Sequence, residues 1–210
     1  MMPSLESSVK SQFARIFRKS DWPFFKEMAE FSFSEAAFLK KDDFKKLPRN
    51  RRLLVRNSRK RLLIGIGTEL LLKALYLKAG YSINQPKDGA KAKLTFPFRH
   101  AAAAGVTLDD ANTYMLDILI KKIREIVKPS DPEVTDGLNI AKVFRNKEGH
   151  VVTPTHQFAP ESFRAIERAL VELYEIGFEE RLRVRFSFAP NEKAAWKTCP
   201  IPHPGQLSPR

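Results

Sequence analysis

The stretch Arg145-Asn146-Lys147-Glu148-Gly149-His150 carries residue types that could cleave a phosphodiester without a metal. That reaction removes a proton from a 2′-hydroxyl, stabilises a phosphorane of higher negative charge and protonates the departing 5′-oxygen. Histidine, with a pKa of about 6.5, exchanges protons at neutral pH. Arginine holds two phosphate oxygens in a planar fork. The spacing predicts Arg145 in the last turn of a helix that Gly149 ends, with His150 just beyond. Both side chains would then converge on one side of the helix end, with Asn146 orienting the histidine or touching the substrate. The same residues also fit a surface arginine at a helix C-terminus, where positive charge is favoured, followed by a loop histidine. The spacing alone does not choose between these readings.

Other chemistries find less. The histidines are His100, His150, His156 and His203, and the single cysteine is Cys199. Cys199 and His203 lack a second ligand pair at matching spacing, so no metal site is expected. Asp109–Asp110 and Glu179–Glu180 read as a helix start and a solvated helix end rather than as converging carboxylates. Gly65-Ile66-Gly67 lies inside an apolar helix with no Gly-Lys-Ser/Thr after it, which is not a phosphate loop. No Gly-x-Ser-x-Gly elbow occurs, and no cofactor is expected.

Four helices must position the Arg145 stretch, over roughly 52–79, 109–127, 136–148 and 160–179. In the first, an apolar run leads to a cap at Ala79–Gly80. Asp109–Asp110 opens the second and Lys128-Pro129 stops it. The third carries Leu138, Ala141 and Phe144 inward. The fourth opens at Pro160–Glu161 and places Phe163, Ile166, Leu170, Leu173 and Tyr174 on one face. Short amphipathic helices precede them over 4–46: Val9, Phe13, Ile16 and Phe17 share a face, and Ser20-Asp21-Trp22-Pro23 begins another. The Phe24–Phe38 aromatic cluster reads as core. A small helix is expected at His100–Gly105 and a turn-rich loop at Asn84–Gly89. Leu94, Phe96 and Phe98 alternate as a short edge strand, and Arg181–Phe188 as a second strand that would pair with it. The expected fold is all-α. A helical extension at 1–48 precedes a four-helix bundle at 49–180, and 181–210 holds a short strand and a proline-rich tail, with one minor two-stranded β element.

The chain has 210 residues, 43% of them hydrophobic, including 16 Phe, enough for a core without disulfides. Lysines and arginines number 37 against 24 acids, a net charge of +13 that favours polyanionic partners. Arg52, Arg56 and Arg59, with Lys60, fall on one helical stripe, either an RNA track or a solvated face. Tyr76, Tyr81 and Trp196 are candidates for base stacking. The opening residues have no apolar leader segment, and Glu69, Lys73 and Lys78 interrupt the most apolar run. A cytoplasmic protein with no membrane partner is the expectation.

Arg-Asn-x3-His after an amphipathic helix, together with Gly67-Thr-Glu-Leu-Leu-Leu-Lys-Ala-Leu-Tyr-Leu-Lys-Ala-Gly-Tyr81, resembles the HEPN (higher eukaryotes and prokaryotes nucleotide-binding) family over residues 50–180. The resemblance implies a metal-independent endoribonuclease of bacterial defence or toxin–antitoxin systems. Arg145 and His150 would be catalytic and Asn146 auxiliary. It implies a homodimer with a composite site, and an antitoxin or defence-system protein as partner. A HEPN-fold module that binds nucleotide, RNA or protein without catalysis is the alternative. Glu69 would either join the site or pair with Lys73 at i, i+4. Val152 stands where some members carry a tyrosine that is modified, which argues against that form of control.

Overall fold

The computed structural model describes residues 4–39, 44–87, 94–150, 158–186 and 197–200. The described residues are mostly helical. Helix α1 (Leu5–Phe13) is capped by Ser4, whose hydroxyl accepts from the Ser7 amide at 3.2 Å, and it buries no residue. Helix α2 (Trp22–Phe38) starts with Pro23 in its first turn and buries Phe25, Ala29, Ser32, Phe33 and Ala36 on one face.

Helix α3 (Arg49–Lys78) is the axis of the molecule. It ends where Gly80 takes a φ of +83°, a conformation glycine adopts without steric penalty. Two glycines let it approach neighbours on both sides. A Cβ on Gly65 would meet the Arg145 Cβ at 2.5 Å, and one on Gly67 would meet the Phe33 ring at 2.6 Å. Positions 65 and 67 lie about 200° apart around the helix, so α3 is clasped between α2 and helix α5 (Val134–His150).

Asp109 does not begin a helix. Leu108–Thr113 forms strand β2, antiparallel to β1 (Asn84–Pro86), with Asn84 opposite Thr113 and Pro86 opposite Leu108. The Asp109 Oδ1 accepts from the amides of Ala111 and Asn112, at 2.9 and 3.1 Å. These are bonds an N-cap aspartate also makes, here closing a turn within an irregular strand pair. Helix α4 (Leu116–Ile126) starts only after Tyr114 has entered the core. Buried Asn84 ties this ladder to the chain between α1 and α2. Its amide donates to the carbonyls of Arg15 and Asp109, and its Oδ1 accepts from the Phe17 amide.

The segment 94–98 is not a strand either. Phe96 and Phe98 turn inward onto Tyr114, as their alternation requires, but the nearest backbone pairing is a single bridge between Tyr81 and Arg99. A short 3-10 turn occupies His100–Ala103. After helix α6 (Pro160–Phe178), Glu179 closes the helix in the left-handed region at φ +59°. Strand β3 (Glu180–Arg183) pairs with β4 (Lys197–Pro200), Leu182 opposite Thr198. The partner of the second strand is thus the proline-rich tail rather than the Leu94 segment, and the described residues hold two small ladders instead of one.

One continuous core joins Phe25 and Phe33 of α2, Leu71, Leu72 and Leu75 of α3, Ile123 of α4, Leu138 and Phe144 of α5, Leu170 and Tyr174 of α6, and Leu182, Val184 and Phe186 beyond it. No helix among the described residues is long and apolar enough to cross a membrane.

Candidate active site

Helices α3 and α5 run antiparallel, and polar side chains line their seam. Arg145 Nε lies 2.7 Å from Glu69 Oε2, and Lys73 Nζ lies 2.8 Å from Glu69 Oε1. One carboxylate therefore serves two cations, and the cluster keeps one net positive charge. The Arg145 side chain is 37% exposed and that of Glu69 only 13%. The guanidinium is held from behind while part of it faces solvent. Its Nη1 also donates to the neighbouring Asn146 Oδ1 at 3.2 Å. Both readings of Glu69 meet here: it makes the Lys73 pair and it touches Arg145.

Glycine 65 makes this placement possible. With no side chain at 65, the α5 backbone at Arg145 settles directly on α3, which sets the Arg145 side chain beside Glu69 one turn further along.

A second, dry cluster lies one turn deeper. Arg61 Nε donates to Glu148 Oε1 at 2.5 Å, and Ser58 Oγ donates to Glu148 Oε2 at 2.5 Å. Arg61 Nη2 is also 2.5 Å from Oε1, without the alignment of a hydrogen bond. The two charged side chains are 1% and 2% exposed, and the Arg61 guanidinium lies 4.7 Å from the Phe158 ring centroid. The sequence reading missed this pair. Its signal was present: Glu148 continues the inward stripe of Ala141 and Phe144, and Arg61 precedes Ile64 and Thr68 on the buried face of α3.

Gly149 does not end α5, which continues through His150. Glycine is tolerated within a helix, and Glu148, pinned by Arg61 and Ser58, anchors the turn before it. Position 150 then lies about 140° around the helix axis from position 145. The cap expected at Gly149 is thus absent, and positions 145 and 150 belong to one continuous helix. The side chain of His150 lies outside the described residues, as do Val152, His156, Trp196 and His203.

The basic stripe is divided among separate tasks. Arg52 turns back to the loop before α3, donating to the carbonyls of Leu47 and Lys45 at 2.7 and 2.6 Å. Arg59 stands 4.0 Å from Glu35 on α2. Arg56 is half-buried, and desolvation lowers its pKa. Lys60 donates to the Phe186 carbonyl, while Glu167 accepts from the Phe186 amide. Burial, then repulsion from Arg56, pushes the Lys60 ammonium down to about 8, with Glu167 opposing. Of the stacking candidates, Tyr76 is buried and donates to the Leu119 carbonyl at 2.9 Å, and Tyr81 lies under Arg99. Among the described residues no three His, Cys, Asp or Glu side chains gather into a metal-binding group.

Comparison of the chain with protein-family models, with curated proteins and with solved structures finds no match in any of the three.

Proposed function

We propose that this protein is a metal-independent endoribonuclease of the HEPN type whose phosphate-gripping group is Arg145. The observation that carries the reading is the partly exposed Arg145 guanidinium fixed by Glu69 beside Asn146, at the end of the helix that reaches His150, in a chain of net charge +13. Arg145 binds the non-bridging oxygens of the scissile phosphate and offsets the charge that grows on them. His150 accepts the 2′-hydroxyl proton. The 2′-oxygen attacks phosphorus, the bond to the 5′-oxygen breaks, and that oxygen takes up a proton. The products are a 2′,3′-cyclic phosphate and a 5′-hydroxyl.

The wide angle between positions 145 and 150 supports the composite arrangement that the family resemblance implies, with Arg145 of one copy working with His150 of another. The setting the resemblance suggests is bacterial defence or stress response, in the cytoplasm, with an antitoxin or defence-system partner.

The test incubates the wild type, Arg145→Ala and His150→Ala with a mixed RNA pool in EDTA. The expected result is cleavage with cyclic-phosphate ends by the wild type alone. Intact RNA with wild-type protein, or equal cleavage by all three, overturns the reading. The Glu69–Arg145 pair also favours a second reading, a HEPN-fold module that binds nucleotide, RNA or a protein without cutting. RNA retention in a gel shift without cleavage would select it.

A further inference from the structure

Beyond α6 the chain sets three arginines along one side of a narrow ledge. Leu182, Val184 and Phe186 are 1%, 5% and 1% exposed, while Arg181, Arg183 and Arg185 between them are exposed. Strand geometry explains the alternation: successive side chains take opposite faces, and every second residue lies about 6.6 Å further along. The ledge is fixed at both ends. β4 pairs along Glu180–Arg183, and the Phe186 backbone donates to Glu167 and accepts from Lys60. The row therefore needs little ordering when a ligand arrives.

We propose that Arg181, Arg183 and Arg185 form a holding site for the phosphates of single-stranded RNA, remote from Arg145. Their spacing is close to that of successive phosphates in an extended strand and longer than that in an A-form duplex. Each guanidinium can grip two phosphate oxygens in one plane. The residues between the arginines turn into the core, so the row meets backbone and reads no bases. Folding does not account for the row. The register sets Arg183 opposite Lys197, and like charges so placed cost a ladder stability. Among the described residues Arg181 pairs with Glu175 at 3.2 Å, and no acid pairs with Arg183. Arg52 and Arg59 of the α3 stripe, by contrast, are engaged within the fold.

The proposal rests on the ribonuclease reading for RNA as the ligand but does not need cleavage. Phe186 packs against Phe33 of α2, 6.0 Å between ring centroids, on the flank of α3 that Gly67 leaves bare. Arg145 lies on the Gly65 flank. RNA held by the arginine row is therefore bound away from the candidate cutting group.

The experiment follows fluorescence anisotropy of a short 2′-O-methyl RNA oligonucleotide, which lacks the attacking hydroxyl and cannot be cut. The full chain is titrated as wild type, Arg183→Gln and the triple variant with glutamine at 181, 183 and 185, across a salt series. Lys121→Gln removes the same single charge from the exposed side of α4. The expected result is a dissociation constant raised about fivefold by Arg183→Gln, with the slope of log affinity against log salt reduced by about 0.7, and by about 2 in the triple variant. Lys121→Gln should leave both near wild type. The loss from Arg183→Gln should persist in an Arg145→Ala background, because the two positions are independent. A duplex of the same sequence should bind more weakly than the single strand, although it carries more charge. A melting temperature no lower than wild type checks that Arg183→Gln keeps its fold. Wild-type binding by the triple variant, an equal loss from Lys121→Gln, duplex binding as tight as that of the single strand, or no binding of the oligonucleotide overturns the proposal. Since cleavage is not read, a protein that binds here and never cuts keeps this site and loses the ribonuclease reading alone.

Discussion

Arg145 Nε and Glu69 Oε2 lie 2.7 Å apart across the α3–α5 seam, and Lys73 competes for the same carboxylate. Removing the acid leaves two cations with no counter-charge between them. Glu69→Gln should therefore tighten RNA binding and steepen its salt dependence by the equivalent of about one phosphate contact. Arg145→Ala should lower cleavage by roughly 100-fold or more. Arg145→Lys should rescue little, because an ammonium cannot grip two oxygens in one plane. Filter binding across a salt series and single-turnover cleavage read the two effects separately.

The buried Arg61–Glu148 pair should be sensitive to the loss of one partner and tolerant of the loss of both. Glu148→Gln strands a guanidinium that is 1% exposed, at a cost of about 3–5 kcal/mol. Arg61→Met with Glu148→Leu removes both charges and should recover most of that loss. Urea denaturation of the two single variants and the double variant measures the coupling.

Gly65→Ala should destabilise the protein although alanine is the better helix former. A Cβ there would meet the Arg145 Cβ at 2.5 Å and its backbone nitrogen at 2.7 Å, so α5 must move away. A penalty of about 1–3 kcal/mol is expected, against a propensity gain of about 1 kcal/mol. A lowered melting temperature together with weaker RNA cleavage is the expected outcome.

Lys60 gives a pH dependence with a definite sign. Its folded pKa of about 8 lies below its ordinary value of 10.5. Between these values the unfolded chain holds a proton that the folded chain has released, so stability rises with pH across that window. The gain is on the order of 3 kcal/mol at most. Tyr76 and Tyr174 act in the opposite sense. Burial foremost raises both phenols, so stability falls above about pH 10, where unfolded tyrosines ionise. The difference in unfolding free energy between wild type and Lys60→Met, followed from pH 7 to 10.5, isolates the lysine.

The helices were legible where apolar period and stop signals agreed. Residues 160–178 carry a clean stripe between Pro160 and Gly177, and the observed α6 matches it. Asp109 shows where local chemistry misleads. Its carboxylate makes cap-like bonds in a strand as readily as in a helix, and only the distant pairing with Asn84 decides. The β3–β4 ladder was illegible for the same reason, since its register joins segments with no local cue between them. At the site, the spacing drew attention to Arg145 but could not show its tie to Glu69, which depends on how two helices cross. It also treated Arg52 as free for RNA, although its guanidinium closes the loop before α3.

Gly65 and Gly67 leave α3 bare on both flanks at one level of the helix. Packed helices usually absorb small shifts by letting side chains change rotamer at their contacts. Here backbone rests against the root of Arg145 on one side and the rim of Phe33 on the other, so little slack remains to take up a displacement. A load applied to α2 would pass through this point as rigid-body motion, which makes the α3 midsection a fulcrum between the molecule's two faces.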